Sequence, residues 1–223
     1  MHKLGFIFDM DGTMIDSMGY HAKSWALFCE AHGLTHPLPK VLQMTTGRTC
    51  VDCMDLLFER PVDRQEALDY VHHKESLYRD LFESEFREVK GFKAFIAHIT
   101  ERGLPWAMGT AGDKTNIAFA LKNLQLAHPP QFIVGGDEGY RGKPEPDIFL
   151  AAARGLGVAP SNCVVFEDAP FGIEAARRGG MRAIGLATSH SPHELDQPHV
   201  LAVANDYDAL RAMPAVLDLL NGG

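Results

Sequence analysis

Residues 5–13 read GFIFDMDGT, an apolar run that is followed at once by two carboxylates. A short, continuous apolar run is typical of a strand buried in a parallel sheet. Side chains alternate along an extended backbone, so Asp9 and Asp11 point in roughly the same direction. Two such carboxylates repel one another, and their position calls for a cation, a shared proton or both. These residues alone leave two interpretations open: a site for Mg²⁺, which takes oxygen ligands, and a turn capped by Asp before Gly12.

The length and composition are those of an ordinary soluble globular protein. The chain has 223 residues, of which 46% are hydrophobic and 22% charged, enough for one core domain and a smaller insertion. Its net charge of -8 repels polyanions, which argues against a nucleic-acid partner. The apolar run near the N-terminus spans about five residues, too few for a signal-peptide core or a membrane span. We therefore expect a cytoplasmic protein with no membrane contact.

The cysteines and paired histidines carry no strong signal. Four scattered cysteines are too few for a disulfide framework in a chain of this length. Cys50 and Cys53 form a Cys-x-x-Cys pair, but further zinc ligands at matching spacing and a preceding strand are both missing from the pattern. We interpret these cysteines as helix-packing residues. The histidine pairs at 72–73 and at 190 and 193 are interpreted as solvated or capping side chains.

The chain changes character twice. Residues 16–88 show helical periodicity interrupted by prolines, which predicts a bundle of about four helices. From Gly91 onward, helical segments alternate with short apolar runs at 105–109, 132–135, 163–166 and 182–186. This alternation predicts a doubly wound α/β fold, a parallel sheet with helices on both faces that also includes the first strand. We expect a core domain of residues 1–15 and 89–223 and an inserted helical domain of residues 16–88.

Ligands of open parallel sheets bind beyond the carboxyl ends of the strands, and polar residues follow four predicted strands here. These are Asp9 and Asp11 after the first, Thr110, Ala111 and Gly112 after the second, Lys143 after the third, and Glu167 and Asp168 after the fourth. Each one alone is explained by helix capping or by a solvated loop. Together they supply carboxylates for a metal, with a hydroxyl, a lysine and backbone N–H groups that suit a phosphate.

The same residues resemble the motifs of a known family. The stretch DMDGT at 9–13, Thr110, the tripeptide Gly142-Lys143-Pro144 and the pair Glu167-Asp168 are similar, in this order, to the four motifs of the haloacid dehalogenase superfamily. The inserted helical block resembles the cap of its β-phosphoglucomutase-like branch. The resemblance implies a Rossmann-like core and a phosphoryl-transfer enzyme, because the dehalogenases proper lack the second aspartate.

The resemblance also implies a mechanism. Asp9 would form an aspartyl phosphate, and Asp11 would act as general acid and then as general base. Mg²⁺ would be held by Asp9, the backbone carbonyl of Asp11 and Asp168, with Glu167 supporting the metal through water or by orienting Asp168. The implied activity is hydrolysis of a small phosphorylated metabolite by a monomer or weak dimer.

The cap and the alternatives complete these expectations. The resemblance places a hinge or proton-relay residue near His21 and a loop over the phosphate at residues 46–49, which include Gly47 and Arg48. The residues alone leave open that His21 is an exposed helix histidine and that Arg48 begins a helix and points to solvent. Sugar-phosphate mutases of the branch carry their arginine further along, near Cys50, so a mutase is the second choice after a phosphatase. A non-enzymatic alternative is a receiver-like signalling module, which also combines acidic residues, a hydroxyl and a lysine at strand ends. Such a module has neither the helical insertion nor an acid two residues after the nucleophile.

Overall fold

The structure, a computed structural model, describes residues 4–45 and 50–220. The chain forms two compact units, one of residues Met1–Asp16 and Arg87–Gly223 and the other of residues Ser17–Phe86. No helix among the described residues has both the length and the apolar character needed to cross a membrane.

The first unit is built on a six-stranded sheet in the order β3-β2-β1-β4-β5-β6. All neighbouring strands are parallel. The strands are β1 (Gly5–Phe8), β2 (Trp106–Gly109), β3 (Phe132–Val134), β4 (Cys163–Glu167), β5 (Arg182–Leu186) and β6 (Val200–Ala204). The predicted α/β fold class is thus confirmed. Strand β6 is absent from the sequence prediction, because it is an edge strand with only partial burial of its apolar side chains.

Helices cover both faces of this sheet. They are α5 (Phe92–Glu101), α6 (Lys114–Leu124), α7 (Asp147–Leu156), α8 (Pro170–Arg178), α9 (Pro192–Leu195), α10 (Tyr207–Arg211) and α11 (Pro214–Leu220). On one face, Phe8 stacks on Phe166 with ring centroids 4.3 Å apart and meets the edge of Phe92 of α5 at 5.7 Å. On the other face, Ile7 belongs to a core cluster with Phe149 of α7. Strand β1 is therefore buried on both sides, as its continuous apolar run predicts.

The strand order determines where a ligand can bind. Strand β1 lies between β2 and β4, so the chain departs to opposite sides of the sheet from this point. Phe8 pairs with Phe166, and the backbone N–H of Asp9 donates to the carbonyl of Phe166 over 3.0 Å. The residues that follow β1 and β4 are consequently neighbours at the carboxyl edge, the usual ligand position of a doubly wound sheet.

The second unit is helical throughout its described residues. It contains α1 (Met18–Ala31), α2 (Leu38–Thr45), α3 (Cys50–Phe58) and α4 (Arg64–Glu83). Its core includes Trp25, Phe28, Met54 and Leu57. Helix α4 begins at the N-cap Asp63, whose carboxylate accepts the backbone N–H groups of residues 65 and 66. These four helices lie in the segment where prolines interrupt the helical periodicity of the sequence.

Candidate active site

Three buried carboxylates converge at the carboxyl edge of the sheet. Asp9, Glu167 and Asp168 each offer one oxygen, and these oxygens all lie within 4.8 Å of one another. Their side chains are nearly inaccessible to solvent. Asp9 follows β1 and the other two end or follow β4, so the adjacency of these strands brings them together. An all-oxygen set of anionic donors suits a hard divalent cation such as Mg²⁺.

Lys143 lies against this cluster. Its Nζ donates to Asp9 Oδ1 over 2.5 Å and to Glu167 Oε1 over 2.6 Å. The same ammonium lies 4.8 Å from the ring centroid of Phe149. One lysine cannot neutralise three carboxylates, so the ionised cluster keeps an excess of negative charge.

The pKa values of these groups express the same imbalance. Burial raises the pKa of Asp9 to about 7, Lys143 lowers it in part, and Glu167 raises it further. Burial likewise raises the pKa of Asp168 well above its usual range, with Glu167 and Asp9 adding to the effect. For Lys143, burial alone would lower the pKa, but the two carboxylates outweigh burial and raise it, so the side chain stays cationic. A cation or a proton is needed at these carboxylates, and the donor set therefore fits a divalent metal.

Asp11 lies beyond β1, outside the group of three carboxylates. The chain turns here with Gly12 at φ 73°, a conformation that favours glycine. A Cβ atom placed on Gly112 would lie 3.8 Å from Asp11 Oδ2, so the Asp11 carboxylate faces the loop after β2. Asp9 thus joins the group of three carboxylates, whereas the Asp11 carboxylate lies beside the loop predicted to bind phosphate and is close enough to Asp9 to raise its pKa.

That loop differs in detail from the prediction. Thr110 is buried, and its hydroxyl accepts the backbone N–H of Gly112 over 3.0 Å. Thr110, Ala111 and Gly112 lie in the turn between β2 and α6 and not in the helix, since α6 begins at Lys114. Asp113 is the N-cap instead, because its carboxylate accepts the backbone N–H of residue 116 over 2.8 Å. The Thr110 hydroxyl thus holds the turn that precedes the helix.

Three residues that follow β5 also contact the site, and the sequence motifs do not include them. Ser189 Oγ donates a hydrogen bond to Asp168 Oδ2 and lies 3.1 Å from the Asp168 carbonyl. Thr188 Oγ1 donates to the carbonyl of Gly12 over 2.5 Å. His190, interpreted above as solvated or capping, has Nδ1 3.0 Å from the Asp168 carbonyl. The sequence does show two hydroxyl residues at the carboxyl end of the fifth predicted strand, a position where ligands can bind, but the four family motifs do not include it.

Gly172 of α8 is a second residue without a sequence signal. A Cβ atom at this position would lie 1.9 Å from Glu167 Cδ, which no side chain tolerates. The Glu167 carboxylate occupies this space because its Oε2 accepts the backbone N–H of Ala169 over 2.7 Å and its Oε1 accepts from Lys143. The glycine therefore makes room for the carboxylate that holds the lysine.

The predicted cap residues have different outcomes. Gly47 and Arg48 lie outside the described residues. His21 lies in α1 of the second unit, with Nδ1 2.8 Å from Lys74 Nζ and its ring stacked on Tyr78 at 3.8 Å. Lys74 is buried, and its Nζ lies 2.9 Å from Glu75 Oε1.

One paired histidine also departs from its expected solvated position. His73 Nδ1 lies 3.0 Å from His32 Nε2, between α4 and α1. Of the Cys50–Cys53 pair, Cys53 is buried in the core of the second unit, consistent with a packing role.

Comparison with known proteins identifies the family. The family model described as haloacid dehalogenase-like hydrolase matches residues 4–180. The chain belongs to the haloacid dehalogenase-like hydrolase family. Among its relatives, Hexitol phosphatase A of Escherichia coli (strain K12) is 31% identical over 82% of this chain and 82% of its own length. Fructose-1-phosphate phosphatase YqaB, from the same strain, is 32% identical over 82% of this chain and 95% of its own length.

A solved structure agrees with this assignment. The crystal structure of HAD hydrolase, family IA, variant 3 from Entamoeba histolytica HM-1:IMSS superposes with a TM-score of 0.86 at 26% identity, covering 100% of both chains. The resemblance stated from the sequence motifs is thereby confirmed, and the chain is a hydrolase of the haloacid dehalogenase-like family.

Proposed function

We propose that this hydrolase is a Mg²⁺-dependent phosphatase that acts on a small phosphomonoester, a sugar phosphate or a similar metabolite. The observation that carries the proposal is the group of buried carboxylates at Asp9, Glu167 and Asp168, with Lys143 bonded to two of them. Two relatives, Hexitol phosphatase A and Fructose-1-phosphate phosphatase YqaB, support this substrate class by their names.

Asp9 is the proposed nucleophile. Burial raises the pKa of Asp9 to about 7, and Lys143, which bonds one of its oxygens, opposes this rise and so favours the ionised carboxylate. A carboxylate oxygen of Asp9 attacks phosphorus, the bond from phosphorus to the ester oxygen breaks, and the leaving alkoxide takes a proton from Asp11. Water then attacks the aspartyl phosphate, gives a proton to Asp11 and releases inorganic phosphate as the bond from phosphorus to Asp9 breaks. Asp11 is suited to this role because its carboxylate lies beside the Gly112 loop, outside the group of three carboxylates.

The proposed metal ligands are Asp9, Asp168 and the backbone carbonyl of Asp11. When bound, Mg²⁺ supplies positive charge that offsets repulsion between the carboxylates and the phosphate. Glu167 contributes to this site by holding Lys143 and by facing Asp168 within the cluster.

The remaining proposed contacts concern phosphate and substrate recognition. Thr110, with the backbone of Ala111 and Gly112, and Lys143 hold the transferring phosphoryl group. We propose that residues 16–88 form the cap domain, in which His21, Gly47 and Arg48 contribute to substrate choice. A cytoplasmic location and a monomeric or weakly dimeric state stay predictions from the sequence.

The proposal is tested by assaying the purified protein against a panel of phosphomonoesters with Mg²⁺ and with excess chelator. Phosphate release in Mg²⁺ and its loss in chelator are the expected results, because the excess charge of the cluster must be compensated before a dianionic ester can bind. Full activity in chelator would contradict the metal assignment. Conversion of a sugar phosphate to an isomer without phosphate release would identify a mutase instead.

A further inference from the structure

Two hydroxyl side chains after β5 connect the loops that carry the proposed metal ligands. Ser189 Oγ donates to Asp168 Oδ2, in the loop after β4. Thr188 Oγ1 donates to the carbonyl of Gly12, in the loop after β1, over 2.5 Å. Gly12 directly follows Asp11, whose carbonyl is a proposed ligand. Neighbouring residues of one segment therefore contact both ligand loops.

The segment that carries these hydroxyls is fixed to the sheet. The backbone N–H of Ala187 donates to the carbonyl of Ala204 over 2.8 Å, and that of Thr188 donates to the carbonyl of Leu186 over 2.9 Å. Strand β5 in turn pairs with β4 up to Glu167, the residue before Asp168. The backbone of this segment is therefore fixed relative to β4 and β6. A fixed hydroxyl can orient the carboxylate to which it donates.

The contacts have a defined chemical consequence at Asp168. A hydroxyl that donates to one carboxylate oxygen limits rotation of the carboxylate and fixes the direction of the other oxygen. Hydrogen-bond partners of metal ligands typically change metal affinity by about 10- to 100-fold when they are removed. Ser189 is exposed, so water can replace its hydroxyl in part, and we expect an effect at the lower end of this range.

We infer that Thr188 and Ser189 are positioning residues that set the affinity of the site for Mg²⁺, Ser189 through the Asp168 carboxylate and Thr188 through the backbone beside Asp11. The inference rests on the proposed function, because it requires that these loops hold a metal. It concerns binding of the ion and not the chemical step. Loss of either hydroxyl should therefore shift the Mg²⁺ requirement more than the maximal rate.

The test is isothermal titration of Mg²⁺ into the metal-free protein, without substrate. Ser189→Ala is expected to weaken Mg²⁺ binding, with a dissociation constant roughly tenfold higher. Thr188→Val is expected to weaken it by a smaller factor, since it acts through the backbone. Ser189→Thr, which keeps the hydroxyl, should retain most of the affinity. Ser161→Ala, an exposed serine in the turn Pro160–Asn162 before β4, is the matched control and should bind as the wild type does.

The outcomes separate the inference from the proposed function. Wild-type affinity in both Ser189→Ala and Thr188→Val, with Mg²⁺ binding and Mg²⁺-dependent hydrolysis intact, would overturn the inference and leave the proposed function standing. No Mg²⁺ binding by the wild type would overturn both. Weakened binding by Ser189→Ala with kcat nearly retained at saturating Mg²⁺ would support the positioning role, because a general structural defect would lower kcat as well.

Discussion

Each unit of the molecule buries a lysine beside carboxylates, and the two lysines differ in how their charge is balanced. In the first unit, Lys143 contacts Asp9 and Glu167 at 2.5 and 2.6 Å, with Asp168 in the same cluster. Burial and the neighbouring carboxylates hold the pKa of Asp9 at about 7 despite the lysine. The negative charge exceeds what the lysine can neutralise, so the site is poised for a further cation.

The buried lysine of the second unit has different surroundings. Among its described residues, Lys74 meets one carboxylate, Glu75, with Nζ to Oε1 at 2.9 Å. The ammonium also lies 5.1 Å from the ring of Trp25 and 2.8 Å from His21 Nδ1. Among the described residues, the second unit has no group of three side chains that could hold a metal. The comparison indicates that three carboxylates around one lysine, and not the burial of a lysine as such, mark the candidate active site.

The largest expected effect comes from removing the nucleophile of the unbalanced cluster. Asp9→Asn should lower kcat/KM by at least about 10⁴-fold, the scale seen when a covalent nucleophile is lost. The metal-free variant should be at least as stable as the wild type, because a buried repulsive charge is removed and Lys143 keeps Glu167. Activity assays and chemical denaturation in chelator measure the two quantities.

Asp218→Asn, at an exposed position of α11, is the matched control for this substitution and should change neither quantity. Retained turnover by Asp9→Asn would contradict the role of Asp9 as the nucleophile.

Replacing the glutamate beside each lysine by glutamine should have unequal consequences for stability. Glu75→Gln takes the carboxylate from its buried ion pair with Lys74 and should cost about 3 kcal/mol of unfolding free energy. Glu167→Gln takes one of three carboxylates from a cluster with excess charge and should change stability by less than about 1 kcal/mol in chelator. Urea unfolding of both variants gives the comparison, and equal destabilisation would contradict it.

A smaller effect is expected from the helix glycines of the two units. Gly172→Ala places a Cβ atom against Glu167 and should destabilise the protein by about 1 to 2 kcal/mol and lower activity. Gly19→Ala, in α1, meets nothing within 4 Å and should be neutral or slightly stabilising, because alanine favours helix. Thermal unfolding with parallel assays checks both variants. A neutral Gly172→Ala would show that Glu167 has room to move.

The smallest effects belong to exposed ion pairs. Bonds from Arg60 lower the pKa of Glu66 to about 2, and bonds from Arg177 and Arg178 lower that of Glu174 to about 2. Both folded values lie below the usual value of 4.5, so the stabilisation is present above that pH and is lost as pH falls toward 2. At pH 7, Glu66→Gln and Glu174→Gln should lower Tm only slightly, and added salt should remove the difference. A large, salt-independent loss would contradict this.

The sequence predicted the parts of the molecule that have a local signal. Strand β1 and its neighbours are short apolar runs bounded by polar residues, and the parallel sheet then brings Asp9 and Asp168 to one edge without further information. Strand β6 escaped because an edge strand shows a weak burial pattern. The short helices α9 to α11 contain too few residues to establish a period.

The missed site residues depend on contacts between distant segments. Ser189 meets Asp168, 21 positions earlier, and Gly172 matters through the volume that Glu167 fills. Lys74 illustrates the converse, since an apolar helix face with a lysine stem looks the same whether the ammonium reaches water or is buried. Such contacts are fixed by packing and carry no spacing that a sequence pattern can report.

The central claim, that Asp9 carries the phosphoryl group during turnover, is tested most directly by mass spectrometry of the enzyme quenched in acid during hydrolysis of its best substrate. A phosphorylated peptide containing residues 5–13, with the group on Asp9, is expected from the wild type and not from Asp9→Asn. A phosphoryl group on any other residue would contradict the account. So would the absence of a phosphoenzyme at every quench time, with turnover proceeding.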